Sequence, residues 1–379
     1  MESEKSISNF YAGRSIFITG ATGFVGKCLL SKLLTSCSEI GRIYILVRDK
    51  HHIQSQDEIR TRLSEIVDSK VLENVSKDKP VILDNIFCLQ GDLTLPNCGF
   101  NQETMELLRD VEIVIHCAAA ITFNMALPKV MKVNVGGTYN VLTVATQMRN
   151  VKAFVYVSTA FCMHHETILD EKVYKANIEP LEALKAFQNM PADWLQSVTS
   201  GILKEEPNTY SYSKHMAEML VESFQDQLPV CVVRPGAILG AYKEPILGWS
   251  NTRSSISQYY HMIFSGAYQT LLFNPKTSFA VTPVDYAVNT ILAAAWRRGS
   301  FSDSGFVVYN CVPNAENMVF HRQIINWGYQ TAQKDSYGII RYILSPGFSN
   351  SYSIFRLKNQ MFFELCNLFK YPWKENRNL

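Results

Sequence analysis

No stretch of this 379-residue sequence reaches the roughly 18 consecutive apolar residues that a membrane-crossing helix needs. The first residues, MESEKSISNFYAGRS, lack the apolar core of a secretory signal. The last three, Arg377-Asn378-Leu379, share only their final Leu with an SKL-type peroxisomal signal, so no targeting signal is read. An excess of one charge is missing too. Lys and Arg number 36 against 34 Asp and Glu, a net charge of +2, and no basic patch offers a field for nucleic acid. No nucleic-acid partner is therefore expected. The nine cysteines contain no C-x-x-C pair. Cys28, Cys37, Cys88, Cys117, Cys231 and Cys311 stand among apolar neighbours and read as reduced, buried thiols of a cytosol-facing protein. The pairs His51-His52 and His164-His165 lie in polar loops, away from the Cys and His clusters that hold metals, so no metal is expected. A G-x-S-x-G hydrolase elbow is also lacking.

Apolar side chains are plentiful. They make up 47% of the chain, with 12% aromatic, which is enough for a sizeable core and excludes a disordered or fibrous protein. Short runs rich in Val, Ile and aromatics fall at 15–19, 43–47, 86–90, 112–116, 153–157 and 230–233. Each is nearly continuously apolar, as strands buried on both faces are. Helical patterns lie between them, notably at 26–35, 127–148 and 210–225. This alternation predicts an α/β fold with a doubly wound parallel sheet of the Rossmann type, its ligand crevice at the C-terminal strand ends. The nucleotide core is expected at about 12–240. A smaller substrate-binding portion follows at about 241–320, where 241–280 reads as loops and short helices. Within that portion a helix is expected at 287–297 and a last strand at 306–310. Residues 321–379 read as the start of a helical, aromatic-rich C-terminal region that is cut short.

Gly20-Ala-Thr-Gly-Phe-Val-Gly26 follows the first strand and opens a helix. Glycines there let the backbone turn tightly and approach a pyrophosphate, and the helix N-terminus presents free N–H groups to it. Gly20, Thr22, Gly23, Phe24, Val25 and Gly26 are thus the candidate phosphate cradle. The second strand ends in Val47-Arg48-Asp49-Lys50. Arg48 favours the 2′-phosphate of NADPH, while Asp49 keeps NAD open. Asp92, with Leu93, either lies against an adenine or caps the next turn. Ala118, in the small-residue run after the fourth strand, lets a cofactor lie close to the backbone. Asn134 stands inside a helical pattern where Asn is a poor helix former, so it serves either a functional hydrogen bond or local packing.

Tyr210 and Lys214 stand at i, i+4 on one helix face. A phenol donates a proton to a carbonyl oxygen more readily when its pKa falls toward working pH, and a nearby ammonium lowers it. The spacing alone arises about once by chance in a chain of this composition; its weight comes from its place before the sixth strand. Thr159, and after it Ser158, close the fifth strand at the same edge and are candidates to bind a substrate carbonyl.

These segments together resemble the fatty acyl-CoA reductases, within the extended short-chain dehydrogenase/reductase superfamily. The resemblance rests on the segments at 19–27, 44–48, 116–123, 156–160 and 208–214. Ala217-Glu218, Val233-Arg-Pro235, Glu244-Pro245, Gly248-Trp249, Pro283-Val-Asp285 and Asn289 carry it further. Residues 250–265 depart from the family's pattern. The resemblance implies NADPH-dependent reduction of a long-chain acyl-CoA through a hemithioacetal and an aldehyde to a fatty alcohol, with release of CoA. It assigns proton donation to Tyr210, tuning of Tyr210 and ribose binding to Lys214, and orientation of the carbonyl to Thr159 or Ser158. It also implies membrane association through the C-terminal region, at the cytosolic face of a peroxisome or of the endoplasmic reticulum. An extended reductase acting on a sterol or other carbonyl, and a nucleotide-binding member without turnover, remain open.

Overall fold

The computed structural model describes residues 6–48, 84–163, 168–203, 206–250, 277–301 and 305–334, with isolated positions elsewhere. Asp49, Lys50, both His pairs, Cys366 and most of 251–265 lie outside the described residues, as does the aromatic run at 361–369.

Seven strands form one sheet: β1 (Ile16–Thr19), β2 (Ile43–Val47), β3 (Ile86–Gln90), β4 (Ile113–His116), β5 (Ala153–Val157), β6 (Val230–Pro235) and β7 (Val307–Cys311). Their order is β7-β6-β5-β4-β1-β2-β3 and every pairing is parallel. All seven begin and end within two residues of the runs read from sequence, and three match them outright. The reason is burial. β1, β2, β4, β5 and β6 are buried at every position, so they carry apolar residues on both faces. β3 is a correction. It is an edge strand whose Phe87 is 40% exposed, and it is not buried on both faces.

Helices in chain order are α1 (Ile7–Tyr11), α2 (Phe24–Ser36), α3 (Gln102–Leu107), α4 (Leu127–Met131), α5 (Gly137–Thr146), α6 (Pro180–Asn189), α7 (Ala192–Leu203), α8 (Thr209–Glu222), α9 (Val284–Ser300) and α10 (His321–Lys334). The strand order reverses between β1 and β4, so successive crossovers pack on opposite faces and open a crevice at that point. One core joins Ile16 and Ile18 to Leu29 and Leu33 of α2 and Ile291 of α9. The other joins Phe17 to Val141 of α5 and Met216 of α8. The period-two alternation of β1 divides its side chains between the two. The pattern at 127–148 is not one helix: a π-helical turn, Lys132–Gly136, separates α4 from α5.

The chain forms two compact units, 1–250 with 282–312, and 251–281 with 313–379. These units alternate along the sequence, whereas the sequence divides on its own signals at 240 and 320. In the second unit Val319–Phe320 pairs antiparallel with Ser278–Phe279, and Gly347–Ser349 pairs parallel with Thr270–Leu272. The short strands at 270–272 and 278–279 correct the expectation of loops and helices alone in that stretch.

Candidate active site

The turn from β1 into α2 is shaped by what a side chain would strike. Gly20 has φ +78°, and a Cβ there would lie 2.8 Å from the Ala118 nitrogen. A Cβ on Gly26 would lie 2.2 Å from the Gly20 carbonyl oxygen, so the helix packs on the turn only because both are glycine. Gly23 caps α2 with extended backbone, no side chain caps the helix, and its first turn holds no acidic residue. Thr22 and Gly23 are exposed. The first N–H groups of α2 and the positive end of its dipole therefore face outward at the sheet's switch point, a cradle that fits a pyrophosphate.

The other expected cofactor residues divide into two groups. Arg48 is exposed immediately after β2, on the same strand-end side as the cradle. Ala118 lies against Gly20 and donates its N–H to Thr19 Oγ1 at 3.3 Å. Asp92 Oδ1 accepts from the Thr94 N–H at 2.8 Å, the turn-capping arrangement. Leu93 packs against α5, and its carbonyl accepts from Asn140 Nδ2 at 2.7 Å. Asn134 sits in the π-helical turn, 2% exposed. Its Oδ1 accepts from the Ala120 N–H at 2.7 Å, and its Nδ2 donates to the Ala120 carbonyl at 3.0 Å and to Ser213 Oγ at 2.8 Å. Ser213 Oγ in turn donates to the Tyr210 carbonyl at 2.7 Å. Asn134 thus ties the loop after β4 to the first turn of α8.

Helix α8 starts where Asn208 Oδ1 accepts from the Ser211 N–H at 2.9 Å, an N-cap. Tyr210 and Lys214 follow on its first turns. Lys214 is 1% exposed, donates to the Val157 carbonyl at 2.7 Å, and lies 4.1 Å from the centre of the Tyr156 ring. Burial pulls its pKa down to about 8, against the opposing pull of Glu218. Ser158 and Thr159 are both buried. Thr159 Oγ1 accepts from the Phe161 N–H at 3.2 Å and neighbours the Tyr210 phenol. Ser158 Oγ is buried without a hydrogen-bond partner. The fold thus gathers the four candidate catalytic residues at the end of β5. One direction differs from expectation: burial pushes the Tyr210 phenol up to about 12, although neighbouring Thr159 opposes this. The Lys214 ammonium is turned to a carbonyl and an aromatic face, and burial outweighs it.

Several supporting residues carry no local signal in the sequence. His116, 1% exposed, hydrogen-bonds Thr19 Oγ1 at 2.6 Å and Thr138 Oγ1 at 3.0 Å. Burial, then the charge of Lys214, lowers its pKa to about 3, so it is a neutral tie between β1, β4 and α5. Arg234 and Glu218 are both fully buried and paired in a fork, Nε to Oε1 at 2.9 Å and Nη2 to Oε2 at 2.6 Å. Arg234 also donates to the carbonyls of Asp170 and Lys172 at 2.9 and 2.8 Å. This fork fastens α8 to β6. In the sequence, both of its partners fall in segments that carry the family resemblance, Ala217-Glu218 and Val233-Arg-Pro235. Asp285 accepts from the backbone N–H groups of Tyr242 and Lys243 at 3.0 and 2.9 Å. Burial would raise its carboxyl, but these bonds hold it below the ordinary value.

Sheet order, glycine turn and the α8 pair together define a dinucleotide-binding fold of the extended short-chain dehydrogenase/reductase type. A model of an NAD-binding family described as Male sterility protein matches residues 18–291. The chain belongs to that family. Fatty acyl-CoA reductase 1 of Mus musculus is 33% identical over 324 residues, covering 85% of this chain and 61% of the mouse protein. Fatty acyl-CoA reductase wat of Drosophila melanogaster is 31% identical over 331 residues, covering 87% and 63%. The chain therefore spans less than two thirds of the length of these relatives. Among solved structures, the terminal R domain of the myxalamid PKS-NRPS pathway is 26% identical with a TM-score of 0.59, covering 85% of this chain and 70% of that one. The reductase domain of a Mycobacterium tuberculosis nonribosomal peptide synthetase has a TM-score of 0.64 at 21% identity, covering 96% and 80%, which is a likeness of fold.

Proposed function

We propose that this protein reduces long-chain fatty acyl-CoA to fatty alcohol by way of the aldehyde, using NADPH and releasing CoA. The observation that carries this is the placing of the Tyr210 phenol next to Thr159 at the end of β5, with buried Lys214 one turn along α8, on the sheet edge that also holds the glycine cradle. The names of the relatives supply the substrate class. The exposed cation at Arg48 supports the 2′-phosphate form of the cofactor. Gly20, Gly23 and Gly26 with the start of α2 would hold the pyrophosphate, and Ala118 would lie against the cofactor. Bound NADPH supplies hydride.

The chain's own residues supply position and protons. A Tyr210 phenol raised to about 12 stays protonated at working pH and is a proton donor. Thr159, with Ser158 beside it, orients the carbonyl oxygen so that Tyr210 protonates it. Lys214, one helical turn along, would offset the charge of the resulting phenolate and hold the ribose of the bound cofactor. In the first reduction the thioester carbon gains hydride and the oxygen a proton. The C–S bond then breaks, CoA leaves as the thiol and the aldehyde remains. After the phenolate has regained a proton from solvent, the second reduction, with hydride from a second NADPH, makes the alcohol through the same donor. Membrane association through the C-terminal region, at a peroxisome or the endoplasmic reticulum, belongs to the same proposal. Among the described residues no helix is long and apolar enough to cross a membrane.

The test is cofactor oxidation by the purified protein with palmitoyl-CoA, with free thiol and lipid products measured. Two NADPH consumed for each CoA and each hexadecanol formed, faster than with NADH, is expected. NADPH binding without product from any acyl-CoA or fatty aldehyde would overturn the proposal.

A further inference from the structure

The loop after β4 combines two features that seldom occur together. It carries large apolar side chains in the open: Ile121 is 49% exposed and Phe123 is 52% exposed. It is also clamped. Asn134 bonds both backbone groups of Ala120. Thr209 Oγ1, on the first turn of α8, bonds the carbonyls of Phe123 at 3.2 Å and Met125 at 2.8 Å. The Phe123 ring is held 5.7 Å from the Tyr210 ring, centre to centre, at an angle of 51°. No Asp, Glu, Lys or Arg stands between 117 and 128. A single exposed apolar side chain on a loose loop is ordinary. Two on a loop pinned to the catalytic helix make a preformed apolar surface, and its position relative to Tyr210 is fixed by Thr209.

We infer that Ile121 and Phe123 form the wall against which the acyl chain lies next to its reacting carbonyl, with Phe123 determining specificity for an apolar chain. This rests on the proposed acyl-CoA reduction. The chain's first methylenes would cover the Phe123 face, gaining apolar contact and excluding water beside the phenol. A carbonyl flanked by a charged or strongly polar substituent would bury that substituent against an apolar ring without a partner and be rejected.

The experiment compares Phe123→Ala, Phe123→Asp and Phe123→Leu with wild type, measuring kcat and KM for palmitoyl-CoA and NADPH affinity. With Ala and Asp, kcat/KM should fall about tenfold or more, chiefly through KM, as expected for losing a buried aromatic contact. NADPH affinity should be unchanged, and Leu should recover most of the loss. A Phe123→Asp enzyme with wild-type kcat/KM would overturn the inference, as would a loss confined to kcat. A second arm needs no turnover. Phe123→Trp is titrated with palmitoyl-CoA and with CoA alone, and its emission compared with that of the parent. A blue shift with palmitoyl-CoA only supports the wall, even if wild type reduces nothing and the proposed reaction has failed. No shift, or an equal shift with CoA, would overturn it.

Discussion

The two sides of the crevice are built by different means. The cradle between β1 and α2 is a backbone site: its shape depends on missing side chains at Gly20 and Gly26, and its charge comes from a helix end. The β5–α8 side is made of side chains, and most of them are buried: Lys214, Ser158 and Thr159, braced by His116, Asn134 and the Arg234–Glu218 fork. A backbone site is written in a few adjacent letters. A side-chain site of this kind is spread over residues that only the fold brings together.

The largest effect should come from the buried brace. Arg234→Met leaves the Glu218 carboxylate buried and unpaired, which should cost about 3–5 kcal/mol of stability in urea unfolding. Adding Glu218→Leu should return most of that loss. A single variant as stable as wild type would mean that the fork holds nothing in place. On the other side of the crevice, Gly26→Ala puts a Cβ within 2.2 Å of the Gly20 oxygen. It should cost about 1–3 kcal/mol and weaken NADPH binding by more than the stability loss explains, because the displaced turn is itself the site. Unchanged cofactor affinity would erase the distinction between the two sides.

The gentlest probe is pH. Lys214 titrates near 8 in the folded protein, below its ordinary 10.5. Between those values the unfolded chain holds the extra proton, so this residue makes stability rise with pH across that window. Activity runs the other way. The ammonium that serves as counter-charge is lost as pH rises through about 8, so kcat/KM should decline there. Lys214→Met should flatten the corresponding rise in a stability profile. A wild-type rate that is level from pH 7 to about 10 would contradict the assigned role.

The same division explains what the sequence discloses. The cradle was legible because glycine at 20, 23 and 26 between a strand and a helix has few other uses. The buried strands were legible because burial on both faces demands continuous apolar runs, and β3 misled because an edge strand keeps the composition without the burial. Asn134 is an odd residue for a helix, but its clasp on Ala120 and Ser213 depends on a π-helical turn that no residue pattern announces. The raised phenol at Tyr210 is not legible because spacing shows which ammonium is near and not how burial acts on the phenol. His116 and Thr209 act through contacts across 97 and 84 residues of chain.

The most direct measurement is Tyr210→Phe against wild type, following both NADPH affinity and NADPH oxidation by palmitoyl-CoA. The substitution removes one hydroxyl and leaves the cradle untouched. Turnover should fall about 10²- to 10⁴-fold, the usual contribution of a positioned proton donor, while NADPH binds as before. Turnover equal to wild type would show that the proton comes from elsewhere and that the β5–α8 side is not the catalytic one.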